Sequence, residues 1–194
     1  MLHWAQASTL AELGALGALW LEGAIPSQPG YERMCGPDPE TADLVPVLAR
    51  LNRAGFFTCS SQPGVLGDGY QQRAAVGGFI SDPDLFAAIV ASMTDTSGDA
   101  AGMWLVRHNG PTRWHNDYRS EQPVTRECGQ NCTWMGARLS RRILRFLYGE
   151  TGALDALYGA WQVTIIDEAW GRDWMLWPML DRAVTYWLEG QAAR

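Results

Sequence analysis

The sequence predicts an α+β fold, with mixed or antiparallel β-sheets flanked by helices, and three observations lead there. Short β-rich runs and helical runs follow one another irregularly, without the strand–helix–strand rhythm that builds a doubly wound parallel sheet. Hydrophobic residues make up 47% and charged residues 19% of the 194, the balance of a chain that buries a core. No apolar run approaches the roughly 18 residues a membrane helix needs, so the pattern is that of a soluble domain without a membrane partner.

The elements follow in order. Thr9-Leu-Ala-Glu12 fits a capping box opening an apolar helix that ends near Gly23. Residues 24–39 are rich in Pro and Gly and read as a loop. Leu44–Arg53 puts Leu44, Val45, Val47, Leu48 and Leu51 on one broad helical face. With Asp43 as N-cap, Pro46 falls in the first turn, whose amides lack intrahelical partners, and Gly55 closes the helix as a left-handed cap. Phe56–Ser61 then reads as a strand stopped by Gln62-Pro63-Gly64. Tyr70–Ile80 reads as one further strand, in which Gly77-Gly78 marks a bulge or a close backbone approach. Ser81-Asp82-Pro83-Asp84 caps a helix through Met93, and residues 102–108 form a short strand. Residues 109–132 are polar, irregular and without an assignment. Residues 134–158 read as mainly helical with a break at Gly149, 161–167 as a strand and 174–187 as a closing helix.

Charge narrows the function classes. A net charge of −6 repels nucleic acid and anionic membranes. Every basic residue besides histidine is arginine, and the lack of lysine excludes a Schiff base, a pyridoxal-phosphate anchor and a Walker-type phosphate loop. The apolar stretch 10–21 has no basic region before it and is broken by Glu12, so it is not expected to be a signal peptide. The expected compartment is the cytoplasm, with Cys35, Cys59, Cys128 and Cys132 reduced.

Several constellations could carry chemistry. Cys128-Gly-Gln-Asn-Cys132, with His108 and His115 nearby, has a spacing that zinc tolerates but lacks a second close pair of ligands, so no metal is expected. Cys59 has no histidine near it in sequence to activate a thiolate, and packing is its expected role. Of the ten tryptophans, Trp161, Trp170, Trp174, Trp177 and Trp187 are spaced for a core shared by the last strand and helix, while one or two could stack on an adenine or face a cation. Glu40-Thr41 and Thr58-Cys59-Ser60-Ser61 supply a carboxylate and hydroxyls that suit a ribose diol, an amino-acid head group or a ring nitrogen. The same residues equally suit capping, strand and turn positions.

Glu40-Thr41, then Leu51-Asn-Arg-Ala-Gly-Phe-Phe-Thr-Cys-Ser-Ser-Gln-Pro63, resembles the C-terminal regulatory domain of eukaryotic methylenetetrahydrofolate reductase, the separation of Thr41 and Thr58 matching without a gap. That family reads Glu-Thr, Val-Asn-Arg-Gln-Gly and Leu-Thr-Ile-Asn-Ser-Gln-Pro over the same span. The likeness extends with gaps from about residue 38 to 188, through Tyr70, Gln72-Arg73-Ala74, Phe79-Ile80, and Val163–Asp167 with Trp174–Trp177. It implies a binding site for S-adenosylmethionine or S-adenosylhomocysteine. The family's contacts fall on Glu40, Thr41, Thr58 and Ser61, and on Thr112 and Thr125 in the polar stretch, with Asn109 and Arg119 in step. It also implies a homodimer. The family's flavin-dependent barrel is missing, so reductase activity is not implied, and its loop after the strand motif is cut to Val65–Gly69.

The resemblance divides the chain into an N-terminal helix-and-loop extension, 1–37, and an adenosyl-ligand-binding domain, 38–194. The expected function is a stand-alone sensor of the adenosyl ligand that signals to an unidentified protein effector. The alternatives are an enzyme that consumes S-adenosylmethionine, with His115, Asp117 and Asp167 as candidate bases, and an interaction protein with a vestigial pocket.

Overall fold

A computed structural model describes residues 3–31, 34–94 and 102–193. The chain is α+β, as expected, with two four-stranded antiparallel sheets. The first sheet runs β1 (Phe56–Gln62), β4 (Ala75–Ile80), β8 (Trp161–Asp167), β5 (Met103–Asn109). The second runs β2 (Val65–Gly67), β3 (Tyr70–Gln72), β6 (Gln122–Glu127), β7 (Gln130–Met135). The helices are α1 (Leu10–Leu21), α2 (Val45–Ala54), α3 (Pro83–Thr94), α4 (Arg141–Tyr148), α5 (Leu154–Gly159) and α6 (Leu176–Ala192). No helix among the described residues is long and apolar enough to cross a membrane.

The helix termini follow their sequence signals closely. Thr9 Oγ1 accepts the Glu12 amide and Glu12 returns a bond to the Thr9 amide, a complete capping box. Asp82 caps α3 through the amides of Asp84 and Leu85. Gly55 ends α2 with φ +102, a left-handed conformation that favours glycine. The start of α2 differs from expectation. A 3-10 turn over Pro39–Leu44 leads directly into it, and Leu44 rather than Asp43 is the N-cap, with no side-chain bond. Pro46 still lies in the first turn, where its missing N–H costs nothing.

The first sheet is covered on both faces. Phe56, Val76, Ile80, Val163 and Ile165 pack beneath α2, α3 and α6 together with Leu48, Leu85 and Leu180. On the other face, Phe57 and Phe79 pack with Tyr148 against α1, α4 and α5 at one end. At the other end Ala75 and Ile166 meet Val124 of the second sheet. The stretch 70–80, expected as one strand, therefore divides: β3 belongs to the second sheet, β4 to the first, and 73–74 cross between them. The unassigned polar segment holds the β6–β7 hairpin, and residues 134–135 are strand rather than helix.

Buried polar groups join the sheets. Gln62 donates to the carbonyls of Arg73 and Val124, both at 2.9 Å, and accepts Thr125 Oγ1 at 3.3 Å. The Arg73 guanidinium lies 4.5 Å from the Trp104 ring and 4.0 Å from Trp170, whose ring also takes Arg126 at 4.5 Å. These cation–π contacts gain most where water is excluded. Trp170 is thus a spacer between two arginines. Trp177 is buried, Trp161 and Trp187 pack on the core, and Trp174 departs from expectation by standing 71% exposed.

Candidate ligand-binding cleft

A cleft opens where the two coverings of the first sheet's second face fail to meet. Its floor is low because β4 carries Gly77 and Gly78 there. A Cβ on Gly78 would fall 2.2 Å from the Phe57 carbonyl oxygen, and one on Gly77 would fall 2.8 Å from Ser60 Oγ. The close backbone approach expected at these glycines is present, and the irregularity in pairing lies opposite them, on β1 between Thr58 and Ser60. Cys59 is the extra residue of that bulge.

Two cavities border this part of β1, and Cys59, Ser60 and Ser61 line both. The larger, about 390 Å³, is bounded by Asn116, Tyr118, Glu121, Trp134, Met135 and Gln162 above the glycine floor. The smaller, about 200 Å³, is bounded by Trp20, Gln28, Tyr31, Asp38, Thr41 and Thr58. Ligand sites for small molecules begin at about 300 Å³, which the larger chamber exceeds alone. A separate hollow of about 1110 Å³ beside α4 adjoins the smaller chamber at Gln28 and Tyr31 and touches none of the six residues expected from the sequence.

Three of those six come together. Thr41, from the 3-10 turn, and Thr58 and Ser61, from β1, line the smaller chamber, and Ser61 also reaches the larger. Thr58 is held by Asn52, which is fully buried: Nδ2 donates to Thr58 Oγ1 at 2.6 Å and to the Leu48 carbonyl at 2.8 Å, while Oδ1 accepts the Thr58 amide at 3.2 Å. Because the Thr58 hydroxyl oxygen already accepts from Asn52, its own proton is free to be donated into the chamber. Helix α1 reaches this point through Gly14 and Gly17, where a Cβ would meet the Asn52 carbonyl at 2.2 Å and its Oδ1 at 2.8 Å.

The other three lie elsewhere. Glu40 is exposed and accepts from Gln72 Nε2 at 3.4 Å, over the second sheet. Thr125 is buried behind Gln62 and acts on the larger chamber only through that side chain. Thr112 donates to the His115 carbonyl and pairs with Ser140, outside both linings. The candidate bases are also outside. Asp167 is fully buried, bonded to Arg172 at 2.7 Å and to the Ala169 amide at 2.8 Å. The Arg119 guanidinium, which bonds Asp117, holds that carboxyl well below the usual range, which makes it a poor base.

Burial pushes the Cys59 thiol up to about 11 and, with the thiol beside it, raises the Tyr148 phenol as well. A thiol so poised is a packing group rather than a nucleophile. Burial, then the hydrogen bond with Asp38, raises the Tyr31 phenol to about 12. Burial alone raises the Glu121 carboxyl. Cys128 and Cys132 are exposed on the β6–β7 hairpin, and among the described residues no three His, Cys, Asp or Glu side chains gather as a metal site would require.

Sequence reasoning missed the larger chamber's wall, since Asn116, Tyr118, Glu121 and Trp134 lie in or beside the segment without an assignment. The alternation of polar and apolar residues in 122–127 is weak, and only the Cys128-Gly129 turn, with φ +46 and +81, offered a hairpin signal.

Residues 2–187 match the model of a family described as a domain of unknown function, DUF6919. The chain belongs to that family. Its match runs through α1 as well as both sheets, so the family's unit includes the helix that backs Asn52. No curated protein matches the chain.

Proposed function

We propose that the chain binds S-adenosylmethionine or S-adenosylhomocysteine in the two-chambered cleft and serves as a sensor or regulatory module for a protein effector. One observation carries this. Thr41 of the 3-10 turn and Thr58 and Ser61 of β1, selected by a family resemblance in sequence, line one chamber. Their hydroxyls, with Asp38 beside them, form a set suited to an amino-acid head group or a ribose. The neighbouring larger cavity, which shares Ser60 and Ser61 with it, offers Tyr118 and Trp134 as surfaces for a ring or a cation. The sensor reading is preferred to an enzymatic one because Asp117 and Asp167 are tied in ion pairs and neither they nor His115 lines the cleft.

Calorimetric titration with both ligands tests the reading. Thr58→Val and Ser61→Ala each remove one hydrogen bond to the ligand and should weaken binding by up to about tenfold, with folding checked by circular dichroism. Wild-type protein that takes up neither ligand at high micromolar concentration would overturn it. Sedimentation of the free and liganded protein tests the homodimer that the resemblance implies.

A further inference from the structure

We infer that the cleft selects a cationic, phosphate-free ligand, with Glu121 holding the positive centre in the larger chamber beside Tyr118 and Trp134. This rests on the adenosyl reading and sharpens it: the sulfonium form should bind in preference to the neutral thioether.

The argument begins with charge. Among the described residues lining the two chambers there is no arginine and no histidine, in a chain without lysine. The ionisable acids there are Glu121 in the larger chamber and Asp38 in the smaller. Two arginines that adjoin lining residues in sequence, Arg138 and Arg119, are committed elsewhere. Arg138 donates to the carbonyls of Asn109 and Gly110, and Arg119 to Asp117. Phosphate recognition relies on arginine, lysine or arrays of backbone N–H groups, and a cavity whose described lining holds a carboxylate and no cationic side chain disfavours a nucleotide's charge.

The larger chamber also has what a cation needs. Tyr118 and Trp134 remain 60% and 47% exposed beside it, large aromatic surfaces left without covering. Among the described residues no arginine stacks on either ring, unlike Trp104, Trp170 and Trp161. Glu121 is partly buried there, and an aromatic face with a carboxylate in a half-dry cavity is a general receptor for onium groups. The smaller chamber supplies hydroxyl donors for a carboxylate and Asp38 for an ammonium, so an amino acid bearing a second cation matches the pair of chambers.

Calorimetry on the full chain separates the claims, using S-adenosylmethionine, S-adenosylhomocysteine and adenosine diphosphate, with trimethylsulfonium followed by nuclear magnetic resonance at the Trp134 indole. The expected result is S-adenosylmethionine bound about tenfold or more tighter than S-adenosylhomocysteine, and no uptake of adenosine diphosphate. Glu121→Gln should erase that preference by weakening the sulfonium ligand more than the thioether, and Trp134→Leu should reduce it without touching the carboxylate. Equal affinity of wild type for both adenosyl ligands, a preference that survives Glu121→Gln, or binding of adenosine diphosphate would overturn the inference and leave the adenosyl reading standing. If neither adenosyl ligand binds but trimethylsulfonium perturbs Trp134 in wild type and not in Glu121→Gln, the cation site stands and the adenosyl reading falls. Silence with every probe overturns both.

Discussion

Asn52→Ala should cost about 3–5 kcal/mol of stability. The side chain makes three hydrogen bonds, two donated and one accepted, at a position with no solvent exposure. Its removal orphans the Thr58 amide, worth about 1–3 kcal/mol for a buried donor left unmade. The Leu48 carbonyl keeps its helical bond, and Thr58 Oγ1 can turn toward the chamber, so those two losses together add about 1 kcal/mol. The vacated space adds about 1 kcal/mol more, because Gly14 and Gly17 of α1 have no side chain to fill it. Urea unfolding followed by tryptophan fluorescence reads the change as a shifted midpoint at constant slope. Thr58→Val supplies the internal comparison, since it keeps the amide bonded and should cost about 1 kcal/mol or less. A loss below about 1 kcal/mol for Asn52→Ala, or a larger loss for Thr58→Val, would refute the view that Asn52 locks α1, α2 and β1 together.

Gly78→Ala should destabilise by about 2 kcal/mol or more, because its Cβ would meet the Phe57 carbonyl at 2.2 Å and backbone cannot rotate away; Gly190→Ala, in open space on α6, should stabilise by about 0.5–1 kcal/mol, and denaturant midpoints compare the two. Iodoacetamide at pH 8 should label Cys128 and Cys132 within minutes and spare Cys59, whose thiol lies up near 11; peptide mass mapping that finds Cys59 modified in folded protein contradicts its packing role. Tyr31, raised to about 12 in the folded chain, contributes stability that is full below its unfolded value near 10 and is lost as pH rises through 12. The stability advantage of wild type over Tyr31→Phe should therefore shrink between those values, and an advantage that stays level would show the phenol is not held by burial and Asp38.

Local signals carried much of the architecture. The Thr9 capping box, the Gly55 left-handed cap, the Asp82 cap and the β-rich run of β8 each fix an element through interactions within a few residues, and the structure has all four. The second sheet was hidden for a physical reason. Its strands are three to six residues long, with exposed positions on most of them, and they gain order from Gln62 and the Arg73–Trp170 stack on other elements. The site divides along the same line. Thr41, Thr58 and Ser61 lie close in sequence around one helix–strand unit and could be read together. Glu121 and Trp134 reach the cleft only because the hairpin folds back over β4 and β8. Glu40 and Thr41 are neighbours in sequence, yet one enters the chamber and the other faces the second sheet, a distinction that only the 3-10 turn decides.

The bulge at Cys59 explains how one short strand can serve both chambers. In a regular strand, alternate residues point to opposite faces, so Thr58 and Ser60 would share one side and Ser61 the other. One extra residue breaks that alternation while leaving the pairing intact on either side: Thr58 opposes Gly78 and Ser60 opposes Gly77. Residues 58–61 then open together on the smaller chamber, and 59–62 on the larger. The partner strand can accept the distortion because it is glycine at both positions, and a side chain at either would collide with β1. The Gly77-Gly78 pair and the bulge therefore form a single device, in which one strand gives up side chains so that the other can line a cavity with four consecutive polar or thiol residues. A cysteine suits the extra position because its side chain is small and apolar enough to bury against Tyr148, which anchors the bulge to the α4 side of the core.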